Sequence, residues 1–339
     1  MTIYIKGLGL CAPGKPVSNA ALAQRFALNE EWISLYLGNR SRYFATDLCS
    51  GVQHYSLMDI ARQAALAAMD NAQLDKGRID FIILATATPD KLMPATVNEV
   101  AHDLGMFNIP TYQLQSGCCG AMQALYLAND LLSVGHYRYG LVIGADICNK
   151  FIDPLKDYSE TQASEIINFA LFGDGAGALV LTANADESPL AITHLQYQIT
   201  ECNLPPGQTV NWQGSRHLEQ EMLREDYKAI EVKVPEMAED QMRRMLCALD
   251  ATVEDIDWFL VPQLSGRMTE KLVDFLQLQP EKAVNCVAET GNNGNALLLF
   301  QLGGLLDNIQ PGQRALALTI ESSRWLSGGL ALHHKGSKS

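Results

Sequence analysis

Short runs rich in Ile, Val, Leu and Tyr alternate with helix-length amphipathic runs, and the whole alternation occurs twice. In the first half the strand-like runs are 2–10, 81–89, 111–116, 139–146 and 177–183, with helix-like runs near 56–72, 94–104 and 118–133. In the second they are 190–200, 258–263, 283–289, 314–322 and 329–334, with helices near 233–249, 267–277 and 294–308. This rhythm predicts an α/β protein with helices packed on a largely parallel sheet. Its recurrence predicts two similar halves, residues 1–185 and 186–339, meeting near "NADESPL". Two polar stretches, 147–168 and 201–226, are too long for ordinary connections; they read as lids or pocket walls, or equally as filler.

Chemistry concentrates at "LQSGCCGAMQAL", residues 114–125. The spacing of Met122, Leu125 and Leu132 predicts a helix over 118–133 with one buried face, which puts Cys118 in its first turn. A thiol there feels the positive end of the helix, which lowers its pKa and favours thiolate. Gly117 and Gly120 leave room for a ligand to approach. On spacing alone the commoner reading is that both cysteines are small buried hydrophobes. "ALFGDGAGALVL" at 170–181 matches no phosphate or dinucleotide loop and predicts only an Asp174-anchored turn into a buried strand. "ETGNNGNALLLFQLGGLL" at 289–306 reads as a polar turn opening an apolar helix, with Asn292 or Asn293 as turn former or cap.

Composition narrows the function classes. With 47% apolar and 19% charged residues the chain is globular. Its formal charge of -13 argues against duplex DNA or an anionic bilayer as partner. The N-terminal "MTIYIKGLGLCAPG" lacks a basic segment followed by an apolar one, and no apolar run reaches membrane-spanning length, so a cytoplasmic protein is expected. The 8 cysteines form no CxxC pair or Cys/His quartet, which predicts reduced thiols and no metal or other cofactor.

Taken together, "GLGLCAPGKPVSNAAL", "EEWISLYLGNRSRYFA", "IDFIILATATPDKLMPAT", "SGCCGAMQALYLAND", "LVIGAD", "FGDGAGALVL", "IDWFLVP" and "TGNNGNALLLFQL" resemble, in order and spacing, the β-ketoacyl-acyl-carrier-protein synthase III group of the thiolase superfamily. The resemblance implies a five-layered αβαβα fold from two similar halves. It also implies a homodimer and an acyl group carried on a cysteine. Cys118 takes the nucleophile position and Cys119 stands where the family usually has serine. Asn292 matches the family asparagine, but Gln263 stands where the family has histidine. An amide cannot take a proton near neutral pH, although Gln263 and Asn292 together would offer two donors to an enolate oxygen.

In "ESSRWLSGGLAL" the family's glycines are replaced at Arg324 and Trp325, beside the turn whose N–H completes the oxyanion hole. Arg324 would bind an acidic substrate group or form a surface salt bridge. Trp32 matches a tryptophan that stacks on the coenzyme A adenine, with Tyr36 where a basic residue is expected. Met93 falls where the family caps its partner's acyl pocket; plain interface packing is the alternative. His54, His102, His194, His217, His333 and His334 are the candidate replacement bases.

The implied activity is that of a ketosynthase III-type acyltransferase and condensing enzyme. Cys118 would be loaded from acyl-CoA or acyl-carrier protein and pass its acyl group on in a Claisen-type C–C bond, or in an ester or amide. The lost histidine points to polyketide or other secondary metabolism. The alternatives are a catalytically impaired partner subunit, forming a heterodimer with an active paralogue, and a protein that binds a thioester without turnover.

Overall fold

In the computed structural model, which describes residues 1–26, 28–150, 153–158, 163–200, 203–210 and 223–336, nine of the strands join in one sheet. They are β1 (Ile3–Cys11), β2 (Phe81–Ala85), β3 (Thr111–Leu114), β4 (Tyr139–Ile147), β5 (Asp174–Thr182), β6 (Leu190–Ile199), β7 (Trp258–Leu260), β8 (Arg314–Glu321) and β9 (Leu326–His334). Their spatial order is β7-β8-β9-β6-β1-β5-β4-β2-β3. In the N-terminal part β2 and β4 are parallel, while β5 runs antiparallel to both β4 and β1. The pattern recurs beyond it: β7 and β8 are parallel, and β9 runs antiparallel to β8 and β6. β1 and β6 join the two sets through an antiparallel pair.

Three apolar clusters define five layers. On one outer face α1 (Leu57–Asn71) and α2 (Thr96–Asp103) cover residues such as Ile82, Leu84 and Leu141. Between the two sets of strands lie α3 (Gly120–Ser133) and α6 (Leu297–Leu306), packed against Ile83 and Val142 on one side and Leu260, Ala317 and Leu330 on the other. On the other outer face α4 (Tyr227–Ala248) and α5 (Gly266–Phe275) cover Phe259, Leu316 and Leu318. α6 has leucines around its whole circumference because it is enclosed on every side. α1 is amphipathic and starts with a reciprocal capping box, Ser56 with Asp59. The αβαβα expectation is met.

Three sequence expectations need correction. The sheet is not largely parallel: five of its strand pairs are antiparallel and three parallel, because β1, β5, β6 and β9 pair only antiparallel at its centre. The run 283–289 is not a strand: Ala283 makes only an isolated bridge to Phe259, and Val287–Thr290 is a helical turn. The N–H groups of Cys286 and Val287, which a strand would offer to a neighbour, are instead taken by Gln263 Oε1. The helix expected over 118–133 begins at Gly120. Of the two long polar stretches, Ala163–Leu171 is helical, and Gln208–Val210 pairs with Leu223–Glu225. Residues 151–152, 159–162, 201–202 and 211–222 lie outside the described residues, and His217 with them.

Candidate active site

The chain leaves β3 through a tight turn in which the N–H of Cys119 bonds the Ser116 carbonyl at 3.1 Å and that of Gly120 bonds Gly117 at 3.1 Å. Cys119 is therefore the N-cap of α3 and Cys118 stands one residue before it. The expected activation by the helix end does not hold. Burial pushes the Cys118 thiol well above the usual range. The negative charge of Glu321 adds to this, followed by Cys119, Asp146 and the thiol's hydrogen bond to Glu321. At neutral pH Cys118 rests as a thiol.

Glu321, the last residue of β8, is 2% exposed and pairs with no cation among the described residues. Its charge is met by backbone donors. Oε2 accepts the N–H of Cys118, and Oε1 accepts that of Ser323 at 2.7 Å. Space for the carboxylate comes from Gly117, where φ is +49° and a Cβ would overlap it. Sequence reading missed Glu321, because a glutamate between a strand and two serines looks like a solvated strand end. Cys119 is fully buried, with Sγ 3.4 Å from Thr319 Oγ1, and burial raises its pKa.

Asp146, at the end of β4, is the fixed point around which the turn is assembled. Its Oδ1 accepts from Thr86 Oγ1, the Ala87 N–H and both the N–H and Oγ1 of Thr88, at 2.8–3.1 Å. Its Oδ2 accepts the N–H and Nδ2 of Asn295, both at 2.8 Å, and Asn295 Oδ1 takes the Ala121 N–H at 3.0 Å. One buried carboxylate thus ties the ends of β2 and β4, the asparagine loop and the first turn of α3 into one network. Burial raises its pKa against those bonds. Asp174 anchors its turn as expected, accepting from Ala45 and Asn149, with burial pushing its pKa up to about 6.

Gln263 is buried, and its amide is committed to the neighbouring loop. Nε2 donates to the Val284 carbonyl, and Oε1 accepts from Cys286 at 3.2 Å and Val287 at 3.1 Å. Asn292 is also buried: its backbone pairs with Leu171 and Gly173, and its Oδ1 accepts the Gly294 N–H at 3.1 Å. Beside it, both amide atoms of buried Asn293 lack a hydrogen-bond partner. Among the described residues no hydrogen bond joins Cys118 to Gln263 or Asn292.

Trp32 is 38% exposed and stacks on Tyr36 with ring centroids 5.5 Å apart. Met93 is 86% exposed beside exposed Leu92. Arg324 is exposed at the turn after Glu321, while Trp325 is buried at φ +56° with Nε1 donating to the Pro205 carbonyl at 2.9 Å. His194 sits by Gln196, and His333 and His334 end β9; no described histidine hydrogen-bonds to Cys118 or Glu321. The seven described cysteines are free, no described helix is long and apolar enough to cross a membrane, and no described cluster of side chains forms a metal site.

Two matches run along the chain: 3-oxoacyl-[acyl-carrier-protein] synthase III over residues 112–198, and the C-terminal part of that family over 246–322. The β-ketoacyl-[acyl-carrier-protein] synthase III of Microcystis aeruginosa is 31% identical over 88% of this chain and 87% of its own. Among solved structures, AbyA1, a tetronic acid condensing enzyme, is 40% identical with a TM-score of 0.94, over 98% of this chain and 99% of its own. The 3-oxoacyl-(acyl carrier protein) synthase III of Pseudomonas aeruginosa is 28% identical with a TM-score of 0.84, over the full length of both chains.

Proposed function

The chain belongs to the 3-oxoacyl-[acyl-carrier-protein] synthase III family of condensing acyltransferases, and from that premise we propose that Cys118 carries an acyl group between two thioester substrates. The observation that carries this reading is the pair of backbone donors beside the thiol. The N–H groups of Cys118 and Ser323 each bond one oxygen of the Glu321 carboxylate, which occupies this place in the resting site. Two fixed N–H donors next to a nucleophile are what a thioester carbonyl needs as it turns into an oxyanion.

The second step is a condensation without decarboxylation. A residue with no basicity at position 263, its amide bonded to the 284–287 loop, argues against the histidine-assisted decarboxylation of malonyl thioesters. A β-ketoacyl thioester needs no such help, since its α-carbon lies between two carbonyls and gives up a proton readily. Likeness to the tetronic acid condensing enzyme supports the same choice. A tetronic acid is a five-membered lactone, so making one from two thioesters takes one carbon–carbon bond and one ester bond. A 2-hydroxyacyl group on Cys118 and a β-ketoacyl thioester acceptor supply the atoms. The α-carbon attacks the Cys118 thioester, and the hydroxyl then displaces the acceptor's thiol.

Acyl-CoA or acyl-carrier protein is the donor, in polyketide or other secondary metabolism. The Trp32–Tyr36 stack is assigned to the donor's coenzyme or pantetheine arm, Arg324 to an acidic group at the mouth, and Asn292 to the acceptor's carbonyl. The exposed Leu92 and Met93 support a homodimer in which Met93 meets its partner's pocket. A cytoplasmic location belongs to the same reading. The relatives lend no support to an impaired partner subunit.

The test is a reaction with lactoyl-CoA and acetoacetyl-CoA. The reading predicts a 3-acyltetronic acid by mass and two thiols released per product. One thiol and an acyclic product would reduce the function to plain condensation. No thiol release from these or from malonyl- and acyl-carrier donors would overturn it.

A further inference from the structure

We propose that Glu321 is the base partner of Cys118, and that its carboxylate holds the oxyanion hole until the thiol proton passes to it. This rests on the reading of Cys118 as acyl carrier. Glu321 is bonded to the backbone of the nucleophile itself, on the side of the turn that Gly117 leaves open. The other buried carboxylate that acts on the thiol, Asp146, is fixed by the Thr86–Thr88 and Asn295 donors and has no comparable freedom.

The two N–H donors and the proton act together. In the resting site the carboxylate of Glu321 is held by the N–H groups of Cys118 and Ser323. When a thioester arrives, the Cys118 S–H proton moves to the carboxylate and the sulfur pair forms a bond to the carbonyl carbon. Protonation makes Glu321 neutral, which weakens its charge-assisted bonds to the two N–H groups just as the carbonyl oxygen becomes negative and needs them. The charge passes from Glu321 to the oxyanion, so the step adds no further negative charge to the site. Collapse breaks the bond to the donor sulfur, which leaves with the proton from Glu321; nothing is oxidised or reduced. In the second step Glu321 takes the acceptor's α-proton and delivers it to the departing Cys118 sulfur.

This arrangement makes an unusual resting cysteine. A Cys–His pair favours thiolate, whereas a carboxylate beside the sulfur favours thiol, so simple alkylating agents meet an unreactive group while a bound thioester meets an activated one. The other titratable groups that face the thiol are Cys119 on its own turn, Asp146 at the end of β4 and Cys148 just after it; Tyr197 on β6 faces Glu321.

The experiment compares wild-type protein with Glu321→Gln and Glu321→Asp. It reads the pH dependence of Cys118 alkylation by iodoacetamide and the rate of Cys118 acylation by lactoyl-CoA. In Glu321→Gln the alkylation midpoint should fall by about one pH unit or more while acylation slows about 100-fold or more, and Glu321→Asp should recover part of the acylation rate. A structural role would move both rates the same way. An unmoved midpoint, or an unchanged acylation rate, would overturn the proposal. If the wild-type protein takes no acyl group from any donor, the acyl-carrier reading has failed, and the alkylation midpoint still decides for or against the Cys118–Glu321 pair.

Discussion

Gln263 and Glu321 are both polar side chains that are almost completely buried, and their surroundings use them differently. Around Gln263 the side chain is consumed by its own loop: one donor and one acceptor are matched to the backbone of residues 284–287. Around Glu321 the side chain borrows donors that the reaction needs, the N–H groups of Cys118 and Ser323. The first corner holds an amide that cannot titrate. The second holds a titratable group directly on the backbone of the nucleophile. The difference teaches that a buried polar residue is a structural part or a reactive one according to whether its bonding partners can be taken over by substrate.

The sharpest way to break this comparison is to expel the carboxylate without touching it. Gly117→Ala puts a Cβ where the Glu321 carboxylate sits and forces an L-residue into a positive-φ turn. Acyl transfer measured by thiol release should fall at least about 100-fold, while the melting transition drops by only about 1–2 kcal/mol of stability. Transfer at the wild-type rate would mean that the carboxylate's place beside the thiol is incidental.

At the other corner stability should respond more than chemistry. Gln263→Ala leaves the N–H groups of Cys286 and Val287 without their acceptor, which should cost about 1–3 kcal/mol in denaturant unfolding. Acyl transfer per folded molecule should change less than about tenfold. Gln263→His should likewise bring no gain in condensation, because a histidine there inherits the loop's demand for an acceptor. A rise in condensation would show that position 263 reaches the substrate after all.

The smallest effect is expected at the cysteine next door. Cys119→Ser should shift stability by no more than about 1 kcal/mol, read by thermal unfolding, since Thr319 Oγ1 and the Leu326 carbonyl are already placed to receive a donor. A large loss of acyl transfer in that variant would move the chemistry from Cys118 to Cys119.

Periodicity carried most of the architecture, since strand and helix spacing depends on which faces are apolar, and nearly every face here is. It failed at 283–289, where a strand-like run gives its N–H groups to the amide of Gln263, a partner that no local pattern reveals. The site was legible where the chain is locally informative: "SGCCG" marks the turn at Cys118. Glu321 was not, because it lies 203 residues from Cys118 and only the pairing of β8 with β9 and the packing of α3 between the strand sets bring them together. The sign of the Cys118 pKa was misjudged because burial, and after it the Glu321 charge, depends on tertiary packing. A helix end can be read from sequence, but a distant carboxylate cannot.

Peptide mapping of the protein after exposure to lactoyl-CoA decides whether the acyl group rides on Cys118. One lactoyl adduct is expected on the peptide containing Cys118, absent in Cys118→Ala and retained in Cys119→Ala. An adduct that survives in Cys118→Ala, or that maps to Cys119, would contradict it.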